Sequence, residues 1–395
     1  RKKMKDAVMI KLSEVFYKLG DMQAALGTLK ELKGTVSEKE LDKKLFLIEG
    51  SALIASGEFE TGKKVINNLL NEMDNIDEVQ KLKVELAYAD FELKRYGEAK
   101  QQCDLLLNDT KLSPESKGRC YNLKGMIDIY QNNEMDSALE NFRRAKQEFD
   151  KANEPIRISG AEVNIGNIYN ILADYEKAEE HWKTALEINQ SIGNLDQEGL
   201  LHQNFGLFYL DRQKYNLAIE SYLKAQKIFL SLGKESNYGL ILINLGEVYL
   251  KICYYQKSIE SLKEAYKIFS RLNNPEEVLE SLTLLGKLFF SIGFLLKLEE
   301  SILSFEKFIS SVNLPAKYKT NLKYLKILLK LLKEEKNFPD DINKIVLEYK
   351  KLEERNLMIE CKFLMISCLI REENFKAAYD ELFDIELMDL CSQNS

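Results

Sequence analysis

Four glycines recur at a fixed interval in the middle of this 395-residue chain. Each lies 40 residues from the next, and each is followed three positions later by an aromatic residue. The glycines are Gly166, Gly206, Gly246 and Gly286, and the aromatic residues are Tyr169, Tyr209, Tyr249 and Phe289. Self-similarity at a fixed period indicates a repeat architecture, in which each unit buries its apolar face against its neighbours. The chain is therefore expected to stack copies of one supersecondary unit.

The second half of each repeat also has a regular pattern of small residues. Ala178, Ala218 and Ser258 follow the glycine by twelve residues, and Ala185, Ala225 and Ala265 follow it by nineteen. Larger side chains stand between them, namely Trp182, Tyr222 and Leu262. Small residues let two paired helices approach closely, and the larger residues fill the remaining gaps. This pattern resembles the tetratricopeptide repeat, whose signature is Leu-Gly, Tyr and Ala-x3-Phe-x2-Ala over two helices.

The resemblance implies an all-α fold, a right-handed superhelical solenoid of about ten helix–turn–helix repeats. The family repeat has about 34 residues, so the longer period here is attributed to longer helices and links. We expect one solenoid over residues 1–395, with repeats one to eight in 1–313 and degenerate repeats nine and ten in 314–395. Arg1 already lies in helix-like sequence, which suggests that the chain is part of a longer protein.

Weaker copies of the repeat, with prolines and turn residues at its boundaries, extend the pattern in both directions. Gly125 opens the fourth repeat, which has one extra residue in the segment "QNNEMD", and Lys326 takes the small-residue position of the ninth. Prolines are predicted to lie outside helix interiors, because proline interrupts a helix; they are Pro114, Pro155, Pro275, Pro315 and Pro339. Residues predicted at turns within repeats are Gly20, Gly57, Gly293, Asn132 and Asn133.

The composition restricts the classes of partner and the compartment. The net charge of −7 argues against a protein that coats nucleic acid or an anionic membrane. No uncharged apolar run approaches the ~18 residues of a membrane span, so no membrane partner is expected. The six cysteines form no CxxC pair, and Cys361 and Cys368 lie in an apolar stretch. Buried reduced thiols, and hence a cytoplasmic location, are the preferred interpretation.

Two features mimic functional motifs. The segment "GEFETGKK" at 57–64 matches most of the motif of a phosphate-binding loop. In that motif a Ser or Thr follows the lysine and binds magnesium, but Lys64 occupies this position here. Gly57 is therefore interpreted as a turn residue and Gly62 as a packing residue. His181 and His202 have no metal-type spacing, and His181 is predicted on a helix surface. No catalytic motif is present, so neither an enzyme nor a cofactor or metal is predicted.

One helix of the ninth repeat has a row of lysines. They are Lys319, Lys323, Lys326, Lys330 and Lys333, spaced alternately four and three residues apart. The preferred interpretation is a solvated face opposite a buried leucine face. The alternative is a contact with an acidic partner or a phosphate backbone.

An asparagine precedes three of the glycines by two residues, at Asn164, Asn204 and Asn244. The first helices of such repeats line the concave face, so these side chains are predicted to project into one groove. A side-chain amide has a donor and an acceptor and therefore matches a peptide group at two points. The resemblance to long-repeat relatives such as the kinesin light chain implies that these asparagines contact a bound peptide. Neighbouring candidates on the same face are Asn167, Gln203, Leu207, Asp211, Glu247 and Lys251.

The leading prediction is thus an interaction scaffold that binds an extended or helical segment of a partner protein. In one alternative the asparagines hydrogen-bond to an adjacent helix and set the geometry between repeats. In another, the repeats are the sensor arm of a larger bacterial signalling protein whose effector lies outside this chain, as the resemblance to peptide-responsive regulators implies. Self-association through the solenoid ends is a further candidate, because neither end has an evident capping helix.

Overall fold

In the computed structural model of the protein, residues 2–18, 21–32, 36, 39–73, 75–310, 315–333, 339–371 and 374–393 are described. These residues form helices throughout and no strand. Two compact units are present, Arg1–Asn194 (unit 1) and Leu195–Ser395 (unit 2). The helices of unit 1 are α1 (Lys2–Lys18), α2 (Met22–Leu32), α3 (Lys39–Ala55), α4 (Phe59–Leu70), α5 (Ile76–Glu92), α6 (Tyr96–Leu107), α7 (Pro114–Ile127), α8 (Met135–Lys151), α9 (Pro155–Ile171) and α10 (Tyr175–Ser191). Those of unit 2 are α11 (Leu195–Asp211), α12 (Tyr215–Ser231), α13 (Glu235–Lys251), α14 (Tyr255–Leu272), α15 (Pro275–Ser291), α16 (Leu295–Ile309), α17 (Ala316–Leu332), α18 (Pro339–Lys351), α19 (Arg355–Arg371) and α20 (Phe375–Gln393).

The helices pair in chain order, as the repeat pattern predicts. Odd-numbered first helices contact the even-numbered second helices that follow them. First helices of adjacent pairs also contact each other, as α1, α3, α5 and α7 do in unit 1 and α11, α13, α15 and α17 in unit 2. Each unit therefore has a layer of first helices, and this layer carries the predicted site residues.

The motif aromatic closes the turn within each central pair through its backbone. The amide of Asp174 donates to the carbonyl of Tyr169 at 2.9 Å, and the amide of Lys214 donates to that of Tyr209 at 2.8 Å. A residue with positive φ lies just before each of these amides, at Ala173 and Gln213. This six-to-one bond with a left-handed residue is the Schellman geometry, which satisfies carbonyls at the end of a helix.

The recurring glycines lie where a second-helix side chain crosses the first helix. A Cβ at Gly166 would come 2.6 Å from Nε1 of Trp182, and one at Gly206 would come 2.7 Å from Cζ of Tyr222. Ser258 takes the place of an alanine, and its hydroxyl donates to the carbonyl of Gly246 at 2.7 Å. The predicted packing of small against large residues is confirmed.

The predicted positions of prolines and turn residues agree with the described residues except at Asn132, which lies in a π-helical turn. Pro114, Pro155 and Pro275 are the first residues of α7, α9 and α15. Gly57 and Gly293 have φ of +88° and +74° at turns within pairs, which favours glycine. Gly20 lies outside the described residues.

Two details of register differ from the sequence analysis. The extra residue of the fourth repeat lies in a π-helical turn, Asp128–Asn132, that continues α7, and only Asn133 leaves the helix, with φ of 56°. In the ninth repeat, α17 begins at Ala316, so the position of the recurring glycine falls on the buried Ile327 and not on Lys326. α17 begins 41 residues after the start of α15, one more than the repeat period of 40, and this extra residue shifts the frame.

No described helix is both long enough and apolar enough to cross a membrane.

Candidate functional site

Asn164 and Asn167 lie on α9, the first helix of the last helix pair in unit 1. The Asn164 amide nitrogen donates to Oδ1 of Asn122 on α7 at 3.0 Å, so these two amides connect neighbouring first helices. The indole nitrogen of Trp182 donates to Oδ1 of Asn167 at 3.1 Å. Asn164 therefore takes part in packing between repeats, as the alternative interpretation requires, and Asn167 takes part in packing within its own pair. Asn164 keeps its own carbonyl oxygen for further contacts, whereas the Asn122 amide nitrogen donates to Sδ of Met126 at 4.0 Å.

Asn204 and Asn244 occupy the same motif position on α11 and α13 in unit 2. Asn204 is exposed and Asn244 is partly buried. Within the described part of the chain, neither amide has a hydrogen-bond partner. Leu207 is 40% exposed on the same helix as Asn204. The surface of unit 2 therefore presents amides without a protein partner beside an apolar side chain, a combination that suits contact with another chain.

Three charged candidates lie further along the same two helices. Glu247 and Lys251 on α13 form a loose ion pair at 3.5 Å. Asp211 at the end of α11 is exposed and has no ion-pair partner among the described residues. Gln203 is partly buried, and its Oε1 is a buried atom without a hydrogen-bond partner.

Tyr222 and Glu280 are two polar residues of unit 2 that the repeat pattern does not identify as site residues. The ring of Tyr222 is fully buried, yet its hydroxyl has no hydrogen-bond partner. Burial and the carboxylates of Glu247 and Asp211 raise the pKa of this hydroxyl. Burial likewise raises the pKa of Glu280 on α15, with Lys317 and Lys287 opposing the shift and Glu247 adding to it. The sequence contained one indication of Tyr222: it places a ring with a hydroxyl group at the position where the next repeat has the apolar Leu262.

A second polar cluster lies in unit 1 around Glu162, which is 1% exposed. Its carboxylate contacts Nδ1 of His181 at 2.6 Å and Nζ of Lys146 at 2.5 Å. Burial favours a higher pKa for Glu162, but the hydrogen bonds from His181 and Lys146 outweigh it and hold the pKa below its ordinary value. The His181 ring also stacks on Tyr169 with centroids 5.4 Å apart. His181 thus lies at a helix surface with 27% of its side chain exposed, and it pairs there with a buried carboxylate that the sequence did not predict.

The row of lysines on α17 is largely neutralised within unit 2. Lys323 pairs with Glu348 at 2.5 Å and Lys330 with Asp341 at 3.1 Å. Lys326 pairs with Glu306 and Lys333 with Glu299, both at 2.7 Å. Four of the five lysines therefore have local partners, which supports the solvated-face interpretation over an anion-binding one.

The apparent phosphate-binding loop is structural. Gly57 forms the turn between α3 and α4, and a Cβ at Gly62 would come 2.7 Å from Cγ1 of Ile54. In the described ranges no group of three His, Cys, Asp or Glu side chains could hold a metal ion. The thiols of Cys103, Cys120, Cys361 and Cys368 are free and buried, whereas Cys253 is free and exposed.

Apolar side chains are exposed on the first and last helices. On α1, Met4, Val8, Leu12 and Val15 are between 40% and 75% exposed and recur at helical spacing. On α20, Phe375 and Tyr379 are more than 60% exposed. These surfaces are compatible with the predicted self-association, which stays a prediction.

Comparison with known proteins places the chain among repeat proteins. The family profile described as "Tetratricopeptide repeat" matches residues 157–231 and 196–271. No curated protein matches the sequence significantly. Many solved structures match the fold. The apo form of RapI has a TM-score of 0.72 and 15% identity over 87% of this chain and 98% of its own.

Two further solved structures have the same fold. A Rap protein complexed with competence and sporulation factor has a TM-score of 0.59 and 14% identity over 89% of this chain and 99% of its own. The apo form of the quorum sensor NprR from B. thuringiensis has a TM-score of 0.61 and 16% identity over 89% of this chain and 100% of its own. The profile match identifies tetratricopeptide repeats within residues 157–271, and the paired helices with small residues at their crossings give the described chain the fold of such repeats.

Proposed function

We propose that this protein is an interaction scaffold that binds an extended or helical segment of a partner protein on its first-helix surface. The observation that carries the proposal is the pair of accessible amides in unit 2, Asn204 and Asn244, which have no hydrogen-bond partner among the described residues. Polar groups in the packing of a stable fold normally find partners. Amides that lie on an accessible surface without partners are available to a ligand.

The chemistry of these amides suits a peptide backbone. A carboxamide donates one hydrogen bond and accepts another, which matches the N–H and C=O of one peptide unit irrespective of its side chain. Leu207 beside Asn204 supplies apolar contact, while Asp211, Glu247 and Lys251 supply charge. In unit 1, Asn164 is already bonded to Asn122, so we assign it a supporting contact through its free carbonyl oxygen.

A second candidate is a regulatory module that senses a peptide and acts on an effector in another part of a larger protein. The observation that favours it is the likeness in fold to a Rap protein complexed with competence and sporulation factor and to a quorum sensor. Both candidates place a protein or peptide on the repeats and assign no reaction to this chain. They differ in whether ligand binding changes the activity of an attached domain.

The test compares capture of partners by the wild type and by the triple variant Asn164→Ala, Asn204→Ala and Asn244→Ala. A matched control changes three exposed asparagines of second helices, Asn67→Ala, Asn68→Ala and Asn216→Ala. Captured partners are digested, and the segment protected by the wild type is synthesised and titrated. Circular dichroism verifies the folding of each variant.

We expect the protected segment to bind the wild type and the control equally and to lose about tenfold or more in affinity for the site variant, equivalent to roughly 1.4 kcal/mol. Equal affinity for all three proteins would remove the asparagines from the mechanism. Unfolding of the site variant alone would assign them to packing.

A further inference from the structure

Arg119 on α7 is a partly buried cation of the first-helix layer of unit 1. It has no hydrogen bond or ion pair with any described residue. Of the other described arginines, Arg371 on α19 also lacks such a partner, but its side chain is exposed. Charged groups that are withdrawn from water are normally paired. Partial burial without an acceptor therefore distinguishes Arg119.

Two contacts between α7 and α9 locate this side chain. Glu115 accepts a hydrogen bond from Arg157 at 3.3 Å, and Asn122 accepts one from Asn164 at 3.0 Å. Each contact joins residues that are 42 positions apart, so the two helices keep one register between them. Arg119 comes four residues after Glu115 and three before Asn122, which places all three side chains on one face of α7. Arg119 therefore lies between the two contacts.

Two carboxylates lie near Arg119 in the first-helix layer, and both are engaged with other groups. Glu115 divides its oxygens between its contact with α9 and Lys81 of α5, which is 3.6 Å away. Lys81 and Glu115 are 34 residues apart, and the same offset places Glu85, one turn further along α5, across from Arg119. Glu85 instead accepts a hydrogen bond from Ser51 on α3 at 2.6 Å. Neither carboxylate forms an ion pair with Arg119.

The guanidinium of Arg157 adds a second positive charge beside Arg119. Its side chain is 37% exposed, and it contacts Glu115 at 3.3 Å and Glu154 at 3.8 Å through two of its nitrogens. A guanidinium has five N–H donors, so others stay available. The pKa of Arg157 is lowered, first by burial and next by the charge of Arg119, although Glu115 and Glu154 oppose the shift. The two cations thus act on each other, and an anion between them would relieve their repulsion.

We propose that Arg119, with Arg157 beside it, binds the carboxylate of an acidic side chain, aspartate or glutamate, of the partner segment. A planar guanidinium presents its donors in a fork that matches both oxygens of a carboxylate. The Asn122–Asn164 pair lies one turn further along the same face, where Asn164 keeps a carbonyl oxygen for the backbone of the segment. The proposal rests on the proposed function, because it states which segments the scaffold prefers.

The experiment measures the affinity of three labelled peptides of equal length by fluorescence anisotropy, each acetylated and amidated at its ends. One contains glutamates in a glycine–serine background, one contains lysines instead, and one contains neither. The site variant is Arg119→Gln. The matched control is Arg371→Gln, which removes the same charge from an exposed arginine that also has no partner among the described residues. Thermal melting verifies that both variants fold.

We expect the wild type and the control to bind the glutamate peptide at least about tenfold more tightly than the lysine peptide, equivalent to 1.4 kcal/mol, with a preference that shrinks as salt is raised. The net charge of −7 favours the opposite preference, so this result identifies a local cationic site. Arg119→Gln loses the preference. In the wild type the glutamate peptide also protects Arg119 from phenylglyoxal, an arginine-specific reagent, as mass spectrometry of the digested protein measures without any substitution.

Four results would overturn the inference. The first is a wild type without preference for the glutamate peptide, and the second is an unchanged preference in Arg119→Gln. The third is an equal loss in Arg371→Gln, which would assign the preference to overall charge. The fourth is equal modification of Arg119 with and without the glutamate peptide.

The double variant Asn204→Ala and Asn244→Ala separates this inference from the proposed function. Weaker binding of the neutral peptide by this variant, without a glutamate preference in the wild type, retains the scaffold and removes the site at Arg119. A glutamate preference that depends on Arg119, with neutral-peptide binding that the asparagine substitutions leave unchanged, does the reverse.

Discussion

The hydroxyl of Tyr349 on α18 donates a hydrogen bond of 2.8 Å to Oδ1 of Asn321 on α17, and both residues are 1% exposed. The Asn321 amide nitrogen continues to the hydroxyl of Thr283 on α15 at 3.4 Å. The ninth pair, which departs most from the repeat pattern, is thus joined to the eighth by a buried polar network. Tyr222 on α12 is as deeply buried, but its hydroxyl has no partner.

This contrast predicts opposite results for the same substitution. Tyr349→Phe leaves Asn321 Oδ1 without its donor and is expected to lower the free energy of unfolding by about 1–3 kcal/mol. Tyr222→Phe removes a hydroxyl that is already unsatisfied and is expected to be neutral or slightly stabilising. Urea denaturation followed by circular dichroism measures both. An equal loss in the two variants would show that the Tyr222 hydroxyl has a partner in the folded protein.

Replacing Gly206 or Gly160 by alanine is expected to change the stability of the protein in opposite directions. A Cβ at Gly206 would overlap the Tyr222 ring, so Gly206→Ala is expected to destabilise unit 2 by about 1–3 kcal/mol. Gly160 lies inside α9 with nothing within 4 Å of the added atom. Gly160→Ala should therefore stabilise by roughly 0.5–1 kcal/mol through helix propensity. Thermal melting of both variants checks the signs, and stabilisation by Gly206→Ala would contradict the packing described for it.

Glu162 predicts a loss of stability in acid. Its pKa is held below the ordinary value of 4.5, so the folded state favours the carboxylate. Its contribution is complete above pH 4.5 and disappears as the pH falls through the lower pKa of the folded state. Glu162→Gln should melt earlier than the wild type at pH 7, with a difference that narrows below about pH 4. Thermal melts between pH 7 and pH 3 measure this, and a difference independent of pH would contradict the ionic role.

His202 predicts a loss of stability at milder pH. Burial, with help from Lys224, lowers its pKa below the ordinary value of 6.5, although Glu198 and Glu220 oppose the shift. The folded state therefore disfavours the protonated ring, and stability falls as the pH drops below 6.5 towards the folded-state pKa. His202→Leu copies Leu242, the residue one repeat later, and should flatten the melting temperature between pH 7.5 and pH 5.5. The same slope in both proteins would show that another group titrates.

The sequence by itself determined the helix pairs, because their causes are local and periodic. A recurring glycine and a large residue sixteen positions later specify a helix crossing wherever both are present, as Gly206 and Tyr222 show. Prolines can begin a helix but cannot lie within one, so Pro155 and Pro275 located the boundaries.

Only the tertiary structure decided which polar groups have partners, because partners come from helices distant in sequence. Asn164, Asn204 and Asn244 look alike in the sequence, yet Asn164 is bonded to Asn122, 42 residues away. Equally, the sequence does not reveal that the imidazole of His181 contacts the buried carboxylate of Glu162. The burial of Ile327 depended on a spacing of 41 residues, and not 40, between the starts of α15 and α17, and a shift of one residue rotates the buried face of a helix by about 100°. Periodicity specifies which faces are buried, whereas the pairing of polar atoms depends on how neighbouring helices are placed.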